Sequence, residues 1–175
     1  MKNPVLFSKH KKSVFGFLIL FIISFIGMQY TGNFLKNSVS PAGIVSFEFA
    51  KTPENVHKII DTWKQMNVMH MVNLNMYIDF IFLIAYVGLI WQLILYVSKP
   101  DKLNAMIIFL PFIGGFFDVI ENIFMLLMLK GSFIDELSQI TFYIAAIKFT
   151  IIGLAILLVI FKSLLLGFNR LKNAR

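Results

Sequence analysis

The sequence predicts an all-α integral membrane protein, a four-helix bundle with an amphipathic helix in an extracytoplasmic loop. Three observations predict it. Hydrophobic residues make up 58% of the 175-residue chain and charged residues 14%, against about 45–50% and about 25% in a soluble domain. A mean hydropathy of +0.80 and 20 phenylalanines leave too little polar surface to coat a body in water. Four runs are long and apolar enough to cross a hydrocarbon core, which needs about 20 helical residues. The same balance excludes intrinsic disorder, and the absence of cysteine excludes a disulfide scaffold and a cysteine-ligated metal fold.

The four spans cover about 13–31, 73–97, 103–129 and 137–161, with an outer loop at 32–72, and no internal repeat divides residues 1–175 into more than one domain. Lys99-Pro100-Asp101-Lys102 separates the second span from the third, and Lys130-Gly131-Ser132 precedes the fourth. Both breaks combine charge with Gly or Pro, which end helices. Lys9, Lys11 and Lys12 resemble the basic start of a cleaved signal, and Ser38-Val39-Ser40 offers small residues. The apolar run is longer than a signal core and no A-x-A pattern follows it closely, so it is read as a retained span.

Charge sets the expected orientation. Lys2, Lys9, Lys11, Lys12, Lys99, Lys102, Lys162, Arg170, Lys172 and Arg175 collect on one side, opposed by Asp101 alone. The other side mixes Lys36, Lys51, Lys58, Lys64 and Lys130 with Glu48, Glu54, Asp61, Asp135 and Glu136. The positive-inside rule then puts both termini in the cytoplasm of a cell with this protein in its inner membrane. The basic face would attract anionic lipid headgroups. Nothing in the chain resembles a nucleic-acid-binding motif.

In the outer loop, Thr52-Pro53 is a helix start, with threonine as cap and proline at the first helical position. Val56, Ile59, Ile60, Trp63 and Met66 follow in one apolar stripe, predicting an amphipathic helix over 52–66 that lies in the interface or over the bundle mouth. Glu54, His57 and Asp61 share its other face and read as solvated rather than metal-ligating. The apolar run from Pro41 to Phe49 is too short to span and is expected to dip into the headgroup region. After Gly167 the basic tail is amphipathic through Leu164, Leu165, Leu166, Phe168 and Leu171, and is expected to continue as an interfacial helix.

The chemistry lies in the charges inside the spans. Burying one costs at least about 2.5–3.5 kcal/mol on insertion scales, so each requires a partner or a purpose. Counted at 1.5 Å per residue from the outer helix ends, Asp79 is about 9 Å deep, Glu121 about 12 Å, and Asp118 and Lys148 about 16 Å. Asp118, Glu121, Asn122 and Met125 share a face at i, i+3, i+4 and i+7, one turn beyond Gly114 and Gly115, whose missing side chains leave room for a ligand or a close helix. Asn75, Asp79 and Tyr86 share a face of the second span, and Thr141 shares a stripe with Lys148. A polar cavity between spans two, three and four, opening outward beneath the loop helix, is the expectation. The first span is expected to add little beyond Gln29 and Tyr30.

Lys148 is expected to pair with Asp118 at matched depth, or with whichever acid the packing brings closest, leaving acids that share a proton or hold a cation. No histidine lies in the spans, and a lysine competing for the carboxylates argues against a resident metal; no cofactor motif is present. Asp79, Asp118 and Glu121 are the candidate acids and bases should the protein act on a lipid headgroup. Nucleophile-elbow and histidine–carboxylate signatures are absent. The cavity reads best as a binding site for an amphiphile, a lipid headgroup or a small cation. Two alternatives are a structural subunit in which the charges only fix helix packing, and a proton- or cation-coupled transporter, which with so few helices requires a homodimer. The methionines, among them Met66, Met69, Met71, Met125 and Met128, read mainly as adaptable core.

Pro41-Ala42-Gly43-Ile44-Val45-Ser46-Phe47-Glu48-Phe49-Ala50, Trp63, Asp79-Phe80, Tyr86, Asp118-Val119-Ile120-Glu121-Asn122 and Lys148 together resemble a group of small four-span bacterial membrane proteins of unassigned activity. The resemblance covers most of the chain from Pro41 to Lys148. It implies the fold and no catalytic role. It also implies that Glu48, an acid in an apolar run, reaches the cavity mouth and joins Asn75, Asp79, Tyr86, Asp118, Glu121, Asn122 and Lys148 as a candidate ligand-binding residue.

Overall fold

The structure is a computed structural model describing residues 4–97 and 105–173, with side chains from 12 to 97 and from 107 to 168. The predicted break at Lys99-Pro100-Asp101-Lys102 therefore lies outside the described residues, as do Lys2, Arg175 and the side chains of Lys9, Lys11, Arg170, Leu171 and Lys172. Among the described residues six helices follow in order: α1 (Pro4–Leu35), α2 (Ile44–Glu48), α3 (Pro53–Gln65), α4 (Met69–Val97), α5 (Ala105–Leu129) and α6 (Ile134–Asn173). No strand occurs among the described residues. Helices α1, α4, α5 and α6 contain the four segments long and apolar enough to cross a membrane, so the chain is an all-α, multi-pass four-helix bundle.

The spans pack as a three-helix group of α4, α5 and α6 with α1 added along α4, rather than as a closed square. Helix α1 lies along α4, α4 also packs on α5 and α6, and α5 packs closely on α6. Helix α1 has no comparable contact with α5 or α6. The outward faces of α1 and α6 carry large exposed apolar side chains, among them Ile23, Ile26, Leu157 and Phe161, as a lipid-facing surface requires.

Glycines set the close approaches. A side chain at Gly115 would come within 2.7 Å of Val87 Cγ2 on α4, and one at Gly114 would run into Ile152 on α6. This pair draws α5 tightly against both neighbours, as small residues do between membrane helices. The room that the sequence left open for a ligand or a helix goes to helices.

The connection between α1 and α4 is a folded lid. Thr52 caps α3, its hydroxyl accepting from the Asn55 amide, with Pro53 at the first turn as expected. Val56, Ile59, Ile60 and Trp63 are buried on one face of α3, whereas Met66 is 42% exposed because the helix ends there. Asn67 takes the left-handed conformation (φ 56°) that closes the helix, and the Val68 amide reaches back to Trp63 O at 3.1 Å. The indole Nε1 of Trp63 donates to Leu35 O at 2.9 Å, satisfying a carbonyl left open at the end of α1. Phe47, Trp63, Leu35, Met76, Met125 and Met128 join one buried cluster under the lid, so these methionines are core as read.

The run from Pro41 to Phe49 forms α2, entered through Gly43 at φ 62°. That conformation suits glycine, and a Cβ there would also lie 3.1 Å from Gly32 O. Ile44, Phe47 and Glu48 are buried, so α2 is part of the packed lid and not a surface segment. Gly131, at φ 78°, closes α5 before α6 begins, with Ser132 N bonded to Leu127 O at 3.0 Å. Helix α6 runs without interruption through 161 to Asn173, so the predicted tail helix is a continuation of the fourth span.

Candidate functional site

Lys148 is the hub. Its ammonium donates to Glu121 Oε1 at 2.9 Å and Asp118 Oδ1 at 3.1 Å, and lies 3.7 Å from Glu48 Oε2. The sequence expectation paired it with Asp118 or the acid that packing brings closest; in the structure it meets Asp118, Glu121 and Glu48 together. Asp118, Glu121, Glu48 and Lys148 are all buried, with Glu121 fully so. Removing such charges from water costs several kcal/mol per ion, offset only where hydrogen bonds occupy the polar atoms. Some of those bonds are present: Tyr86 OH donates to Asp118 Oδ2 at 2.6 Å, and Asn122 Nδ2 donates to Asp79 Oδ2 at 2.6 Å. The ammonium also stands 4.6 Å over the ring of Phe149, a cation–π contact.

Glu48 changes the charge balance. Counted among the outer-loop charges on sequence grounds, it enters the cluster because α2 folds inward. Three acids against one lysine become four: Glu48, Asp79, Asp118 and Glu121 against Lys148. Burial pushes the Glu48 carboxyl up to about 8 from its ordinary 4.5, with the Lys148 ammonium opposing and the Glu121 and Asp118 carboxylates reinforcing the rise. Three buried acceptor atoms in the cluster have no hydrogen-bond donor: Glu48 Oε2, Glu121 Oε2 and Asn122 Oδ1.

Asn75 does not join the cluster. Its Nδ2 donates to Thr31 Oγ1 at 2.6 Å and to Met28 O at 3.1 Å, tying α4 to α1. Seven positions on from it, Phe82 and its neighbours face the space between α1 and α6, but Asn75 itself is enclosed where α4 and α1 touch. Thr141, on the Lys148 stripe, is buried with an unpartnered hydroxyl. Gln29 and Tyr30 are exposed, and α1 contributes Ser24, Thr31, Phe21 and Met28 to the interior instead.

The open volume also lies elsewhere than expected. Between α4, α5 and α6 the acids are packed together, since Gly114 and Gly115 bring these helices into contact. A groove of about 460 Å³ runs instead along α4, between α1 and α6. Its floor is Asp79, Phe82, Tyr86, Leu89, Ile90 and Leu93; α1 adds Phe21 and Met28; α6 adds Lys148, Phe149, Ile152 and Ile156. Helix α2 sits over the loop end with Ile44, Val45 and Glu48, and α5 contributes Asp118 alone. The charged residues thus gather at the loop end, and the walls beyond Tyr86 are wholly apolar. From Asp79 to Leu93 the floor extends about 21 Å at 1.5 Å per residue. The side is open because α1 and α6 do not close against each other, and Phe149 and Ile156 are exposed there.

Among the described residues no group of three or more His, Cys, Asp or Glu is arranged to hold a metal ion; Lys148 stands where the carboxylates converge. Glu54, His57 and Asp61 are exposed on α3, with Asp61 3.5 Å from Lys64. A second recess of about 400 Å³ on the loop face is bordered by Ser38, Ser46, Asn55 and Lys58. Two of its polar groups are used locally: Asn55 Nδ2 bonds Ala50 O, and Ser46 Oγ accepts from the Ala42 amide.

Fold and site together define a multi-pass helical membrane protein with a buried carboxylate–lysine cluster at one end of a side-opening apolar groove. No protein-family model matches the chain, and none of the curated proteins or solved structures compared with it is similar.

Proposed function

We propose that the protein binds an amphiphile in the groove along α4, its polar headgroup at the loop end beside Asp79, Asp118 and Lys148 and its hydrocarbon tail over Leu89, Ile90 and Leu93. One observation carries this reading: a continuous volume of about 460 Å³ has charged side chains at one end and only apolar ones along the rest. Small-molecule sites have about 300–1,000 Å³ and combine apolar walls with a few placed polar groups. The side opening gives a lipid-borne ligand a path that needs no passage through water. The basic surplus at the termini supports an inner-membrane location with both termini cytoplasmic, where anionic headgroups would gather. On that orientation the headgroup end of the groove belongs to the outer half of the bilayer.

Native mass spectrometry of the full chain purified in mild detergent tests this. A retained amphiphile is expected in the wild type and its loss in Leu93→Trp, which fills the groove, at unchanged helicity. No retained amphiphile, or equal retention by the filled variant, overturns the reading. The ion pairs of Lys148 support a second one, in which the charges serve only to hold the helices. That reading predicts that Asp118→Asn with Glu121→Gln loses the fold and that no ligand is found.

A further inference from the structure

The donor and acceptor inventory of the groove narrows the headgroup, an inference that rests on the amphiphile reading above. Among the described polar residues lining the groove, the hydrogen-bond donors are Lys148 and Tyr86. Tyr86 is committed to Asp118, and Lys148 is held by Asp118 and Glu121 and lies 3.7 Å from Glu48 Oε2. The other lining polar groups are the carboxyl groups of Glu48, Asp79 and Asp118. Glu48 is 6% exposed, lines the loop end of the groove, and its Oε2 has no hydrogen-bond donor. Asp79 accepts from Asn122 and has no ion-pair partner among the described residues. A phosphate or carboxylate headgroup would therefore meet more carboxyl groups than donors, at a point where like charges repel.

Rings complete the setting. Phe82 adjoins Asp79 on the groove floor, with its centroid 5.1 Å from that of Phe21 and 5.6 Å from that of Tyr86. Aromatic faces beside an unpaired carboxylate favour a cation. We propose that the headgroup is a protonated primary amine, with Asp79 as its counter-ion and Glu48 Oε2 as a further acceptor. A primary ammonium brings three donors and a positive charge, matching what the groove lacks on both counts. A bare metal cation would satisfy the carboxylates but leave the apolar length of the groove without a role.

The test titrates the detergent-solubilised full chain with dodecylamine, dodecanol and dodecyl phosphate, and reads retention by native mass spectrometry. Dodecylamine is expected to bind about tenfold or more tighter than the other two, the value of one charge-assisted hydrogen bond. Asp79→Asn should bring dodecylamine down to the dodecanol level while leaving dodecanol binding unchanged, which also shows the variant folded. Asp79→Glu should keep the preference. Equal binding of all three, tighter binding of dodecyl phosphate, or an amine preference that survives Asp79→Asn overturns the headgroup assignment and leaves the amphiphile reading standing. Binding of none of them overturns both.

Discussion

The Glu48 carboxylate, carried by a short helix of the loop, lies 3.7 Å from the Lys148 ammonium in the middle of the last span. That contact fastens the lid to the membrane-spanning cluster. Through Lys148 it links α2 to Asp118 and Glu121 on α5, so lid, third span and fourth span share one charged centre.

Removing the cation should be costly. Lys148→Met leaves Asp118 and Glu121 buried without a counter-ion, a change expected to destabilise by about 3–5 kcal/mol. Unfolding in a graded denaturing detergent measures it. Adding Asp118→Asn and Glu121→Gln to Lys148→Met should recover a large part of the loss. A Lys148→Met protein as stable as wild type would show that the cluster does not hold the helices.

Glu48 should make the lid sensitive to pH. Its folded carboxyl titrates near 8 and its unfolded one near 4.5, with burial as the main cause. A carboxyl raised on folding contributes stability that is fully present below the unfolded value and is lost as pH rises through the folded value. Between pH 4.5 and 8 the seat of α2 should therefore weaken progressively, and Glu48→Gln should flatten that dependence. Thermal unfolding across this range, followed by the emission of buried Trp63 in a Trp91→Phe background, reads it. An identical pH slope in Glu48→Gln would assign the dependence to another group.

Asn75 should act as a clamp for α1 and have no part in ligand binding. Asn75→Leu removes its bonds to Thr31 and Met28 O and is expected to cost about 1 kcal/mol, the usual scale for interhelical hydrogen bonds in membranes. Amphiphile retention should be unchanged in the same variant. Lost retention with unaltered stability would move Asn75 into the site.

Two glycine substitutions should behave oppositely. Gly115→Leu meets Val87, with the first added carbon already at 2.7 Å, and should cost about 1–3 kcal/mol by forcing α4 and α5 apart. The Asp79–Asn122 bond at 2.6 Å spans the same interface and should be lost with it. Gly153→Ala in α6 meets nothing within 4 Å and should be neutral or stabilising by up to about 1 kcal/mol. Denaturation midpoints of the two variants decide the point.

Four spans, the Thr52 cap, the buried stripe of α3 and the shared face of Asp118, Glu121 and Asn122 were all determined by the sequence itself. Each depends on length, composition or spacing within a single helix, and those are properties of the chain alone. Tertiary structure decided which helices the glycines bring together, that Asn75 bonds to α1, and that the open volume lies between α1 and α6. It also decided that Glu48 turns inward, because α2 is placed by contacts distant in sequence, such as Phe47 against Trp63 at 5.5 Å. Spans that are apolar on every side do not signal which side faces lipid and which a neighbour. The partner of a buried charge is set by packing across helices, and a spacing rule within one helix does not contain it.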